Sequence, residues 1–525
     1  MRIGLTSSFW HDRLVESGLI LSLALYYVVG NQHTMIGYLA RLNPLLSLPF
    51  LLVFTVLCWY RLSFAVALLP LWLPYYLLQK VVVSHYAFSM AEITLWTCIA
   101  VATLQLFWGR WSYRLFWSQV REHLGPFTLP IVVFFVMAAV SVIIAYAHNT
   151  ALRAFREEVL DPLLYLGLVL LCLRRREDVL RLLSALLGSA LLVALLGMAQ
   201  YFFFKNMLVL EDGVRRVHAV YGSANSIGLF FDYILPIGFA LLIAAISWRD
   251  RVLAAVVCLP LLFVLYLTQS RGAWLANAVG LLFVVAFSLR DRKRLLIGGV
   301  AALIVLAVAL FFFHDRVIDF VLQSHVSKHG ISTVTKRLYL WHTALNMIHD
   351  SPWLGYGMDN WLCHYSKNAI CGAHTFHYWI VTDPITGKPT GLLDEPTLSH
   401  PHNIFLHVWV SIGLFGLLAF MAIIILFYAL FVQIMKQLAR VEGGEQLRWM
   451  AIGVGAAMLT ALVQGQVDSA FLEQDLAFCF WTLVAALLIL RQLSDVAWQT
   501  MLPWKCLRQA DLTSSQPPAP VGAEA

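Results

Sequence analysis

The chain has 525 residues, of which 60% are hydrophobic and only 12% charged, with a mean hydropathy of +0.77. Soluble domains carry about a quarter charged residues, so this balance excludes an ordinary water-soluble enzyme. The formal charge of +7 is carried between apolar runs, a pattern that suits a bilayer as partner and not nucleic acid.

In chain order, the first apolar run begins near Gly18, lacks a small-residue cleavage site and leads directly into further runs. The N-terminus is therefore expected to be retained. A spanning helix needs about 20 mostly apolar residues, and runs of that kind recur, among them 127–147, 224–247, 295–313 and 404–432. Breaking the chain at charged or Gly/Pro-containing joints gives about 14 candidate spans. The fold class expected is all-α, a polytopic transmembrane bundle of about 12–14 spans. With the N-terminus inside, about 22 Lys and Arg fall on the cytoplasmic side and about 8 in short outer loops. The inner markers are Arg174 to Arg176, Arg290 to Arg294, and the joint bearing Lys436, Arg440 and Arg448. The expected organisation is transmembrane helices over 1–313, an extracytoplasmic loop domain over 314–400, further transmembrane helices over 401–492, and a cytoplasmic tail over 493–525 with a disordered Pro/Ala-rich end. Cys58, Cys98, Cys172, Cys258 and Cys479 lie in apolar runs as small core residues, whereas Cys363 and Cys371 share the polar loop and could pair if it faces an oxidising compartment.

Polar chemistry concentrates at a few boundaries. In "VYGSANSIGLFFDYILP", Asn225, Gly228 and Asp232 fall at helical spacing and read as close helix packing. In "YLTQSRGAWLAN", Arg271 stands at the outer end of a run, and its planar fork matches phosphate oxygens. The long loop and its exit hold eleven of the 17 histidines. Within it Arg337 opens a segment with Leu338, Trp341, Leu345 and Ile348 at helical spacing, an amphipathic helix in the interface, followed by a sharp turn at "SPWLGYGMDNW".

The stretch "SHPHNIFLHVWVSIGLFG" then enters a span. Pro401 fits a first helical turn, which puts His402 and Asn403 at a helix N-terminus where free N–H groups and the dipole attract an anion such as a pyrophosphate. The same field disfavours a protonated imidazole and leaves a base. His400 is a second candidate base and a substrate contact. An H-x-H pair with no obvious third and fourth ligands is a weak zinc signal, so no metal and no cofactor are expected. His407 reads as a hydrogen-bonded structural group, Gly413 and Gly416 as a close-approach face for another helix, and Glu473 and Asp475 as solvated surface acids.

These residues resemble the O-antigen ligase and O-antigen polymerase superfamily. The resemblance rests on "HNIFLHVWVSIGLFG" from His402 to Gly416, supported by "TQSRGAWLA", "RLYLWHTALNMIHDSPWLGYGMDNW" and "GSANSIG", and covers roughly residues 180–430. It implies a metal-independent glycosyltransferase of the cytoplasmic (inner) membrane, its site facing the periplasm. Such enzymes move glycan from undecaprenyl pyrophosphate to a hydroxyl acceptor: lipid A core, another glycan or a protein. The family's essential histidine matches His402 and its two arginines match Arg271 and Arg337, with Asn403 and His400 as further substrate contacts. Arg271, Arg337 and His402 are expected to meet within about 10 Å, the reach of a bridging pyrophosphate. The competing class is a flippase of lipid-linked sugars, which would carry buried charge along several spans.

Overall fold

A computed structural model describes residues 7–31, 39, 41–83, 86–108, 122–211, 214–289, 333–365, 380–382, 389–393, 400–441 and 444–496. The apolar runs become helices because in lipid every backbone N–H and C=O must find its partner within the chain. In order they are α1 (Ser7–Val28), α2 (Leu48–Tyr60), α3 (Leu62–Leu68), α4 (Met90–Phe107), α5 (Thr128–Ile144), α6 (His148–Ala154), α7 (Asp161–Cys172), α8 (Arg176–Phe203), α9 (Ala224–Asp232), α10 (Leu235–Ala244), α11 (Trp248–Leu267), α12 (Arg271–Ser288), α13 (Thr333–Asp350), α14 (Trp361–Tyr365), α15 (Ile404–Leu438), α16 (Glu445–Gln464) and α17 (Gln474–Leu493). Among the described residues three two-stranded antiparallel hairpins interrupt them: β1 (Lys80–Val83) with β2 (Tyr86–Phe88), β3 (Val209–Glu211) with β4 (Val214–Arg216), and β5 (Ile380–Thr382) with β6 (Pro389–Leu393). Among the described residues eight helices are long and apolar enough to cross a membrane, or up to ten if each of two bent pairs is one span. The protein is thus a polytopic helical membrane protein. The expected span at 295–313, the basic joint at 290–294 and the tail beyond 496 lie outside the described residues.

Local chemistry starts these helices. Ser89 and Glu92 form a capping box on α4: the Glu92 amide donates to Ser89 Oγ at 3.2 Å, and the Ser89 amide donates to Glu92 Oε2 at 2.7 Å. Asp178 does similar work for α8, accepting from the Arg174 and Arg175 amides at 3.2 and 3.1 Å. The bundle closes around α17, whose span is 89% buried within the protein. Phe134, Phe420, Phe471, Phe480 and Trp481 pack there with ring centroids 4.7 to 6.4 Å apart, fixing the loop between α16 and α17. Small residues let neighbouring helices touch, as in other membrane bundles. A side chain at Gly280 of α12 would overlap Thr460 of α16.

One feature of α15 was hidden in the sequence. Gly413 has φ of +75° and breaks the helix, and the segment 351–357 is pressed into the break. The Tyr356 and Gly357 amides donate to Val410 and Ser411 carbonyls at 2.7 and 3.1 Å, and the Leu414 amide donates to the Pro352 carbonyl at 3.0 Å. The kink therefore leaves these backbone groups satisfied. A Cβ on Gly413 would overlap the Trp353 carbonyl, so this glycine admits a loop and not, as its spacing suggested, a neighbouring helix. Asn360 Oδ1 accepts from the Ala147 amide at 2.8 Å and ties the same loop to the end of α5. Cys363, in α14, is disulfide-bonded; Cys371 lies outside the described residues.

Docking of this loop lays α13 across the entrance of α15. The buried face of α13 is Leu340, Ala344, Met347 and Ile348, packed with Trp361 and Val410. Leu338 and Leu345 are each 53% exposed, so the apolar stripe expected from spacing is turned partly outward. The amphipathic helix itself is present.

Candidate active site

The α15 N-terminus differs from the sequence expectation in a way that matters for chemistry. The helix begins at Ile404, three residues after Pro401, and Asn403 is its N-cap, with Oδ1 accepting from the Phe405 and Leu406 amides at 3.0 and 3.1 Å. The Ile404 amide donates to the Gly465 carbonyl at 2.7 Å, and the His407 amide to the Asn403 carbonyl at 2.8 Å. The Ile404, Phe405 and Leu406 donors are thus used inside the protein, and the His407 amide makes the first bond within the helix. Three of the N–H groups expected to cradle an anion are therefore already taken, so an anion at this helix end draws on side-chain cations.

Those side chains are close by. His402 sits at φ of +50°, a left-handed conformation uncommon outside glycine and frequent at functional sites. Asn403 Nδ2 donates to the Gln466 carbonyl at 3.0 Å, and Trp341 of α13 donates to the His402 carbonyl at 3.3 Å. These contacts hold the turn. The His402 ring turns toward the α16–α17 loop, where Nδ1 lies 2.6 Å from Asp468 Oδ1. Arg337 Nη2, from α13, stands 3.9 Å from the other oxygen of the same carboxylate. The side chain of Asp468 is 3% exposed, those of His402 and Arg337 16% and 20%. One buried acid therefore lies between two partly exposed side chains, an imidazole and a guanidinium.

Electrostatics assigns the protons. Burial alone would raise the Asp468 carboxyl, but the charge and hydrogen bond of His402, with His400 and Arg337 nearby, hold it below the usual carboxylate range. An ionised Asp468 only accepts, so His402 Nδ1 carries a proton directed at it and Nε2 is the ring nitrogen left to face a substrate. His400 is different. The His402 backbone amide donates to His400 Nδ1 at 3.3 Å, while its Nε2 lies 3.9 Å from Glu473 Oε1. Burial, with His402 and His407 beside it, pushes the His400 pKa well below the usual imidazole value. His407, one turn inside α15, makes the structural hydrogen bond expected of it, to Ser469 Oγ at 2.5 Å.

This neutral His400 gives a pH prediction. Its pKa is lower folded than unfolded, so below about pH 6.5 the unfolded chain binds the extra proton and stability falls as pH drops. The slope contributed by one such group is at most about 1.4 kcal/mol per pH unit. His400→Gln is expected to lessen the acid-side fall in melting temperature of the detergent-solubilised protein between pH 7 and 5. An unchanged profile would contradict the burial argument.

His400, His402 and Asp468 also bring three possible metal-ligand atoms within 4.8 Å of one another, the third ligand that the H-x-H pair lacked in the sequence. A tetrahedral set of N and O ligands about zinc at about 2.0–2.1 Å keeps its ligand atoms roughly 3.3 Å apart. The 2.6 Å separation of His402 and Asp468 is that of a hydrogen-bonded pair.

Arg271 comes to the same end of the bundle by another route. It is the first residue of α12 and is exposed, and a Cβ on Gly272 would lie 2.5 Å from Gln464 Oε1, at the end of α16 and four residues before Asp468. Glu473 and Asp475 correct the sequence reading. Asp475 is 1% exposed and receives the Tyr221 hydroxyl at 3.0 Å, and Glu473 receives the Tyr76 hydroxyl at 3.5 Å. Asp475 is thus no solvated surface acid, and Glu473 is half-buried, its side chain 26% exposed. Asp468 was not singled out in the sequence; an acid between two apolar runs was its only signal.

Residues 253–421 match the family model described as O-antigen ligase. The matched stretch, about a third of the chain, is similar to that family. The matched stretch contains Arg271, Arg337, His400, His402 and Asn403, while Asp468 lies beyond it. No curated protein matches the chain. The helical membrane fold and this partial likeness together support an O-antigen ligase-like membrane enzyme.

Proposed function

We propose that the protein transfers glycan from undecaprenyl pyrophosphate to a hydroxyl acceptor at the outer face of the cytoplasmic membrane. The observation that carries this reading is the Asp468 carboxylate shared by His402 and Arg337. His402 Nε2 takes the proton of the acceptor hydroxyl as its oxygen bonds to the anomeric carbon. The bond from that carbon to the pyrophosphate oxygen breaks, and undecaprenyl pyrophosphate leaves with its charge met by Arg337 and Arg271. Pyrophosphate is a good leaving group, so charge stabilisation counts for more than protonation; the hydroxyl is a poor nucleophile and benefits from a placed base. No step calls on a metal. The base is assigned to His402 because the Nδ1 lone pair of His400 already receives a backbone amide. Lipid A core, a growing glycan and a protein hydroxyl are all chemically competent acceptors for one such base.

Asp468→Asn tests the arrangement. The amide keeps the shape but can donate to Nδ1, which favours the wrong imidazole tautomer and places less negative charge beside the forming imidazolium. Transfer from a purified lipid-linked glycan to acceptor is expected to fall on the order of 10²-fold or more, with donor binding largely kept. Near-wild-type transfer by this variant would overturn the role of the pair.

A further inference from the structure

One buried cation joins two motifs, "GSANSIG" and "TQSRG", the second of which carries Arg271. Arg216 ends β4 and is 9% exposed. Its Nε donates to the Thr268 carbonyl at 2.6 Å, and its Nη2 donates to Asn225 Oδ1 at 2.6 Å. Thr268 closes α11, and Asn225 lies in the first turn of α9. The residue after the strand continues the seam, the Val217 amide reaching the Leu267 carbonyl at 3.5 Å.

Around this contact the turn from α11 to α12 is fully specified. Thr268 Oγ1 donates to the Leu265 carbonyl at 2.7 Å and accepts from the Ser270 amide at 3.2 Å. Trp274 Nε1 donates to the Leu265 carbonyl at 2.9 Å, and Gln269 takes φ of +53°. Three residues after Thr268 comes Arg271. On the other side, α9 is drawn against α12 so closely that a Cβ on Gly228 would lie 2.7 Å from the Ala273 Cβ. The last carbonyls of a helix carry partial negative charge, and Arg216 meets them with a planar fork able to serve two acceptors at a fixed angle.

The geometry points to Arg216 as a positioning residue for Arg271: it does not touch the donor but sets the helix end from which Arg271 reaches the pyrophosphate. This rests on the proposed role of Arg271. A lysine could keep the charge but offers a single ammonium in place of the fork that holds both Thr268 and Asn225.

A double-mutant cycle on the full chain tests it, reading donor kcat/KM with a purified lipid-linked glycan. Arg216→Ala is expected to lower donor kcat/KM about 10- to 100-fold while acceptor KM stays unchanged, and Arg216→Lys to give an intermediate loss. In the Arg271→Ala background the further effect of Arg216→Ala is expected to shrink to within about twofold, because residues acting through one contact are not additive. If Arg216→Ala yields too little folded protein, Arg216→Lys runs the same cycle. A loss that recurs in full without Arg271 would overturn the positioning role and leave the site reading standing. An Arg271→Ala protein as active as wild type would overturn both.

Discussion

His402→Ala is expected to abolish transfer, by at least about 10³-fold, while leaving donor-lipid binding nearly intact. The base acts on the acceptor hydroxyl, and the donor is held by arginines, so the loss should fall on kcat and not on donor affinity. The ring is oriented by Asp468 at 2.6 Å and its main chain by Trp341 and Asn403, so the turn should survive the truncation. His400→Ala serves as comparison. It removes a backbone acceptor and is expected to cost less, about tenfold. A dead His400→Ala with an active His402→Ala would move the base to His400.

Arg337→Ala is expected to lose roughly 2–4 kcal/mol of transition-state stabilisation, comparable with removing one oxyanion donor. Two effects combine here. The guanidinium balances the developing pyrophosphate charge, and its loss also takes a cation away from Asp468, 3.9 Å distant. Arg271→Ala carries only the first effect and should weaken donor binding with a smaller additional loss in kcat. Lysine should rescue each position in part, keeping charge but losing the bidentate fork. Full rescue by lysine would show that a point charge suffices.

The spans were legible because in lipid an apolar run of sufficient length has few alternatives to a helix. His402, Arg271 and Arg337 stand out as candidates in the sequence because charge at the mouth of an apolar run needs a reason, and the structure brings His402 and Arg337 to one carboxylate. Asp468 does not stand out, since it meets His402 across 66 residues and its own loop has no pattern of its own. The misreading of Glu473 and Asp475 has the same origin. Their partners Tyr76 and Tyr221 lie 397 and 254 residues away, and burial of an acid among distant tyrosines leaves no periodic trace. The kink at Gly413 failed for another reason. A small residue in a membrane helix serves equally for helix contact or loop insertion, and only the carbonyls of Val410 and Ser411, taken by the 351–357 loop, distinguish them. Pro401 misled by three residues, because Asn403 is the stronger cap.

The central claim is that His402, directed by Asp468, activates an acceptor for attack on a lipid-linked pyrophosphate donor. Its most direct measurement uses purified protein in vesicles loaded with polyprenyl-pyrophosphate-linked glycan, with acceptor added outside. Wild type is predicted to move glycan onto the acceptor and release polyprenyl pyrophosphate in equal amount, and His402→Ala to bind the donor but transfer none. Movement of the intact lipid across the bilayer without transfer, or transfer by His402→Ala at the wild-type rate, would contradict it.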